Sequence, residues 1–240
     1  MATAKFASSP PRRRFRLTPL RLALACLTIL LIVSGLLFAV ARAWAPAQAD
    51  FPTQGIGVSA DSGTIDWSMV PGSGVDFAYL AATNGADGTD AAFATNLAGA
   101  RAVGLRYGVE HRFSLCAGAD EQARRFITSV PRDAAMLPPV VRLAFSQDCP
   151  ASLSRDKLLS ELNTFLNQIE AHGGKPAVIR VARDFDARYD IGSGVNRTLW
   201  LEGNFMAPSY ASRPWVMWTA STWKSINGVP GSMEWDVVQP

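Results

Sequence analysis

Residues 137–145 read LPPVVRLAF, and the interpretation of this stretch decides the fold. Two prolines fix an extended start, and an apolar run of strand length follows. Successive side chains on a strand point to opposite faces, so Arg142 and Ala144 share one face, with Leu143 turned to the other. A guanidinium inside an apolar strand is costly to bury unless a carboxylate meets it.

Similar runs recur on both sides of this stretch. Strands are expected at 55–60 (GIGVSA), 76–83 (DFAYLAAT), 105–113 (LRYGVEHRF), 138–145, 176–182 (PAVIRVA), 198–203 (TLWLEG), 215–221 (WVMWTAS) and 234–238 (EWDVV). Helical periodicity occupies 89–103, 119–130 and 152–171. In the last of these Leu158, Leu159, Leu162, Phe165, Leu166 and Ile169 form one apolar face. Ser152 or Ser154 caps the start of that helix, and the glycines at 173–174 end it. Strand–helix alternation predicts an α/β fold with a parallel sheet, and the final connections are too short for good helices. Eight strands fit a β/α barrel, with an open doubly wound sheet as the competing topology. In a barrel, functional side chains gather at the C-terminal ends of the strands.

The chain has 240 residues, 48% hydrophobic and 18% charged, enough for one sizeable core. Its net charge of +3 is uneven. Residues 1–49 carry seven basic side chains and no acid, leaving 16 basic against 20 acidic groups beyond them. A folded part with acidic balance gives no footing for a nucleic-acid partner. The tail places a cluster of arginines ahead of an apolar run over residues 22–41. A run of that length matches a hydrocarbon core of roughly 30 Å, and basic residues on its N-terminal flank favour a cytoplasmic N-terminus. The expected organisation is a basic cytoplasmic segment (1–21), a transmembrane signal-anchor helix (22–44), a Pro/Ala/Gln linker (45–54) and an extracytoplasmic domain (55–240) held at the inner membrane. The AQA before Asp50 resembles a signal-peptidase site, which makes secretion after cleavage the alternative.

Cys26 lies in the apolar run. Cys116 and Cys149 each follow an expected strand, and an exported location permits a disulfide between them, with two free loop thiols as the other reading. With two histidines and no Cys/His spacing, neither a metal nor a cofactor is expected.

These segments together resemble the glycoside hydrolase family 25 lysozymes. GIGVSADSGTIDWSMV (55–70) is similar to the family opening G-I-D-V-S-x-x-x-G-x-I-D-W. GVDFAYLAATNGADGTDAAFATNLAGARAVGLRYGVEHRF (74–113) is similar to the segment that follows it. LPPVVRLAF falls where the family has L-P-P-x-L-D-x-E, and residues 173–185 and 214–238 resemble the closing segments. The resemblance covers residues 55–238 and implies a flattened eight-stranded β/α barrel whose last strands lack helices. It further implies hydrolysis of the bond between N-acetylmuramic acid and N-acetylglucosamine in peptidoglycan, with peptidoglycan or another envelope glycan as the partner. In the family, carboxyl groups protonate the leaving oxygen and steady the developing charge, while an acetamido group on the sugar assists as nucleophile.

At the positions that do this chemistry, the chain departs from the pattern. Gly57 stands for the first aspartate, and Arg142 and Ala144 stand for the D-x-E pair. Glu234 is the only retained carboxylate at a family catalytic position, with Asp236 where the late strand has asparagine. Neither alanine nor arginine serves as a general acid near neutral pH. Asp61, Glu110 and Asp148 are candidate relocated acids. Arg142, Arg180, His111, Trp218, Trp223 and Asp236 are candidate cleft residues. Arg142 is expected to pair with Glu110 or Glu234, near Arg180 and Glu202. Three functions follow: a membrane-anchored lysozyme-like domain that binds glycan without cleaving it, an active muramidase with relocated acids, or a structural or protein-interaction barrel in the envelope.

Overall fold

A computed structural model describes residues 18–147, 149 and 153–240. The chain divides into two compact units, residues 1–40 and 41–240. The helix α1 (Pro19–Ala43) runs through the first unit and ends in the second. It is long and apolar enough to cross a membrane, with a mean hydropathy of 2.7 over its most apolar window.

The second unit is a barrel. Its elements in chain order are β1 (Thr53–Val58), β2 (Phe77–Asn84), β3 (Gly88–Thr89), α2 (Phe93–Ala102), β4 (Arg106–Arg112), α3 (Ala119–Ser129) and β5 (Val140–Leu143). There follow α4 (Arg155–Gly173), β6 (Val178–Val181), α5 (Arg183–Tyr189), α6 (Ile191–Gly194), β7 (Thr198–Glu202), β8 (Met217–Ser221) and β9 (Glu234–Val238). All eight expected strands form. Pairing runs β1-β9-β8-β7-β6-β5-β4-β2, and β1 also pairs with β2, so the sheet closes on itself rather than staying open. β3 is a short antiparallel addition to β2.

Three features differ from the sequence expectation. β9 runs antiparallel to both β1 and β8, the connection 222–233 turning the chain back without a crossover helix. The short helices α5 and α6 fill the β6–β7 connection, where helical periodicity marks none. The 45–54 segment is not a free linker. Gln54 Nε2 donates to the carbonyls of Pro46 and Phe51, and Trp235 Nε1 donates to Gln54 Oε1 at 2.7 Å.

The core has two parts. Leu158, Leu162, Phe165, Leu166 and Ile169 of α4 pack into the larger cluster between the helices and the outer face of the sheet. Ser154 caps α4 by accepting from Lys157 N, and Gly174 closes it in the left-handed region. Inside the barrel a separate cluster of Phe77, Tyr79, Val140, Val178, Trp200 and Met217 forms the floor beneath the mouth. Cys116 and Cys149 are disulfide-bonded, joining the loops that follow β4 and β5.

Candidate active site

Inward-facing residues near the C-terminal ends of the parallel strands meet in one ionic cluster. β4 supplies Glu110, β5 Arg142, β6 Arg180 and β7 Glu202, while antiparallel β9 brings in Glu234 from its first residue. Arg142 and Arg180 are paired in register across β5 and β6.

Arg180 is the centre. Only 1% of its side chain is exposed, yet it bonds three carboxylates. Nη1 and Nη2 reach Glu234 at 2.6 and 2.7 Å, Nη1 also reaches Glu110 at 3.1 Å, and Nε reaches Glu202 at 2.9 Å. Its guanidinium lies 4.9 Å from the centre of the Trp200 ring. Arg142 sits higher and is partly exposed. Its Nη1 donates to Glu234 at 3.2 Å and lies 3.9 Å from Glu110. Its Nε is 3.0 Å from Glu202, a close charge contact without the alignment of a hydrogen bond. Arg142 therefore contacts both expected partners and Glu202 as well. Burying charges this deeply is tolerable because each guanidinium meets several carboxylates.

The cluster sets the protonation states. Burial alone would raise Glu234, but the Arg180 charge and hydrogen bonds, followed by Arg142 and Arg112, hold it down to about 2. Beneath it, burial pushes Asp236 well above the usual carboxylate range. Arg180 pulls against that rise, and Glu234 and Glu110 add to it. Asp236 Oδ1 accepts from Thr219 Oγ1 at 2.8 Å, which in turn accepts from Trp200 Nε1 at 2.9 Å. Asp236 Oδ2 is buried without a partner, and a neutral carboxyl costs least there.

Gly57 makes room for this arrangement. It is paired with Glu234 across β1 and β9. A Cβ at position 57 would lie 2.7 Å from Glu234 Oε2 and 3.2 Å from Asp236 Oδ2. The carboxylate of Glu234 thus occupies space that any larger side chain at 57 would need.

Above the cluster lies an open cleft of about 280 Å³, lined among others by Asp61, Tyr79, Glu110, Arg112, Arg142, Thr222 and Glu234. Arg112, an exposed residue at the end of β4, also lines two neighbouring hollows. Of the candidate relocated acids, Asp61 lines the cleft and Glu110 is committed to Arg180. Asp148 lies outside the described residues.

Several expected cleft residues lie elsewhere. His111 points outward, fully buried between Thr83 Oγ1 at 2.8 Å and Gln122 Oε1 at 3.2 Å, with its ring against Phe165. Burial lowers it to about 4, opposed by the Gln122 bond. It is a structural hydrogen-bonder, because odd and even positions of β4 face opposite sides and Glu110 takes the mouth side. Trp218 is buried on the outer face against Trp44, Phe51 and Trp215, and its Nε1 donates to Gly203 O. Trp223 is 48% exposed and does not line the cleft. Asp236 lies below the cleft floor. Among the described residues no His/Cys/Asp/Glu group is arranged to hold a metal ion.

A general acid must present a protonated group within about 3 Å of the leaving oxygen. The three mouth glutamates instead face guanidinium groups, and the depressed Glu234 is a weak base and a poor acid. Arg180 and Glu202, both expected near Arg142 from the sequence, join the cluster, whereas the part of Arg112 at the cleft rim has no signal in the sequence beyond its place at the end of β4.

The sequence pattern of the glycosyl hydrolases family 25 matches residues 56–229. An uncharacterized protein, YegX, of Escherichia coli O157:H7 is 28% identical over 200 residues, spanning 79% of this chain and 70% of the relative. A family 25 glycosyl hydrolase from Bacillus anthracis has a TM-score of 0.71 and 26% identity, covering 78% of this chain and 89% of its own. A bacterial lysozyme from Streptomyces coelicolor shares the fold at a TM-score of 0.71 and 24% identity, covering 78% and 92%.

Proposed function

The chain belongs to glycosyl hydrolases family 25, and we propose from that premise that its barrel binds peptidoglycan glycan strands at the outer surface of a membrane without cleaving them. The observation that carries this reading is the commitment of Glu110, Glu202 and Glu234 to Arg142 and Arg180. A cleft that keeps an open groove but neutralises its acids retains a means of binding and lacks a proton donor.

The apolar helix supports anchoring at the inner membrane, with the barrel on the periplasmic or extracellular side. The packing of residues 44–54 on the barrel favours retention of the anchor, since cleavage before Asp50 would detach Trp44 from Trp218 and Phe205. Asp61 supports the alternative of an active muramidase: it lines the cleft, and no arginine is paired with it in the cluster.

Muropeptide release from purified sacculi tests the central point. Background release by the full chain, together with its retention on sacculi, is the expected result. Turnover abolished by Asp61→Asn or Glu234→Gln would overturn it. Background release without retention would favour an envelope protein-interaction barrel.

A further inference from the structure

We propose that the loops 203–206 and 222–225 form a face that rests on the lipid bilayer and holds the barrel's mouth edge at the membrane surface. This rests on the membrane-anchored reading above.

Residues 42–44, which belong to the barrel unit, are bound by these two loops. Ser225 N donates to Arg42 O at 3.0 Å, Lys224 Nζ to Ala43 O at 3.2 Å, and Arg42 Nε to Ser225 Oγ at 3.3 Å. Trp44 meets the Phe205 ring edge-on at 5.2 Å. The two loops are tied to each other, because Asn204 Oδ1 accepts from Thr222 N at 2.8 Å and from Thr222 Oγ1 at 3.2 Å. They form one surface rather than two.

The position of that surface follows from the chain. The apolar run ends at Ala41, so a spanning helix puts residues 42–44 at the hydrocarbon edge, where tryptophan and basic residues are favoured. Whatever touches Trp44 is then within side-chain reach of the interface. Trp44 packs between the buried Trp218 and Phe205, which is 40% exposed; on the same two loops Met206 is 78% exposed and Trp223, beside Thr222, 48%. Phe205 holds a left-handed backbone, φ 66°, which is unfavourable for a bulky residue and persists only where its surroundings enforce it. Here Phe205 N donates to Ala220 O at 2.9 Å while its ring is held by Trp44. The exposed cation Arg42 suits anionic headgroups, while Lys224 is half-buried with its Nζ 4.6 Å from the centre of the Trp235 ring. Continuity with the membrane end of the helix and this aromatic–basic composition point to lipid rather than to a protein partner. Thr222 also lines the cleft, so the glycan within reach is the one nearest the membrane.

The test uses the full chain in vesicles of phosphatidylethanolamine and phosphatidylglycerol, with Cys26→Ser and a nitroxide on Met206→Cys or, as control, Asn196→Cys. The Cys116–Cys149 disulfide keeps those thiols from the label. At Met206 the nitroxide should collide more with lipid-soluble oxygen than with a water-soluble nickel chelate, and at Asn196 the order should reverse. Brominated lipid should also quench the wild-type chain more than Trp223→Phe. If Met206 behaves like Asn196 while the chain resists alkaline carbonate extraction, the anchor stands and this proposal falls. Release by carbonate would instead refute the anchoring itself, and this proposal with it. Spin–spin broadening without lipid contact would assign the face to a second copy and overturn the lipid assignment.

Discussion

Arg180 grips Glu234 with both terminal nitrogens, at 2.6 and 2.7 Å, in a site where almost none of the arginine is exposed. The two residues lie on strands that do not neighbour each other in the sheet and span the mouth between them. This contact, with the second one from Arg142, commits the Glu234 carboxylate to the ionic cluster.

Arg180→Leu should destabilise the domain by about 3–5 kcal/mol near neutral pH, because three carboxylates then lose their shared cation. The pH dependence identifies the cause. Burial would raise the Glu234 carboxyl in the variant, so its penalty should ease as pH falls toward the unfolded carboxylate value of about 4.3. In the wild type the depressed Glu234 contributes stability above that value and loses it as pH falls toward about 2. Urea denaturation across pH should show the variant's deficit shrinking from neutral pH down to about 4.3 and the wild type losing the Glu234 contribution below that value; a deficit independent of pH would exclude Arg180 as the controlling charge.

Gly57→Ala should cost about 1–3 kcal/mol, since the added methyl meets the Glu234 carboxylate. Shortening the obstacle with Glu234→Ala should recover part of that loss. A double-mutant cycle read by denaturant midpoint should give a coupling on the order of 1 kcal/mol, and additive effects would count against contact between the two positions.

Restoring one acid should not restore hydrolysis. Ala144→Glu places a carboxylate just past the end of β5, beside the hollow that Ala144 and Arg112 both line, while the mouth glutamates stay bound to Arg142 and Arg180. Muropeptide release should stay at the wild-type background. Measurable turnover from this single change would show that the remaining mouth residues suffice for catalysis.

His111 should make the fold sensitive to mild acid. Its folded value of about 4 lies below the usual 6.5, because burial disfavours the charged ring. The unfolded chain therefore binds the proton first. Stability is full above pH 6.5 and falls, by up to a few kcal/mol, as pH drops toward 4. His111→Gln should flatten the thermal midpoint over that window. An unchanged slope would assign the acid sensitivity to another group.

Reducing the Cys116–Cys149 bridge should lower stability by about 2–4 kcal/mol through the entropy it removes from the unfolded chain. The Cys116→Ala/Cys149→Ala chain should match the reduced wild type in thermal melts and no longer respond to dithiothreitol. A bridge-free chain as stable as the oxidised one would mean that the loop contacts alone carry this region.

Much of the barrel was legible because strand alternation and helix caps are local. The α4 face, Ser154 and Gly174 all do what their spacing implies. The antiparallel entry of β9 was not legible, since strand direction depends on how a connection packs and not on the strand's own residues. The side on which Trp218 lies was equally hidden. Every residue of β8 is buried, so apolar character there does not separate the inner face from the outer one. In β4, by contrast, Glu110 and His111 are adjacent, and knowing the face of one settles the other.

By itself, the sequence determined the eight strands, the apolar helix and the family resemblance, with Gly57, Arg142 and Ala144 where that resemblance leads one to expect acids. These are properties of contiguous residues and of their spacing. Only the tertiary structure decided that Arg180, more than Arg142, is the hub of the mouth, that Glu234 is ionised above a raised Asp236, and that residues 42–54 lie along the barrel. Burial and electrostatics at the mouth are sums over side chains delivered by five strands, and no stretch of chain contains those sums until the barrel closes.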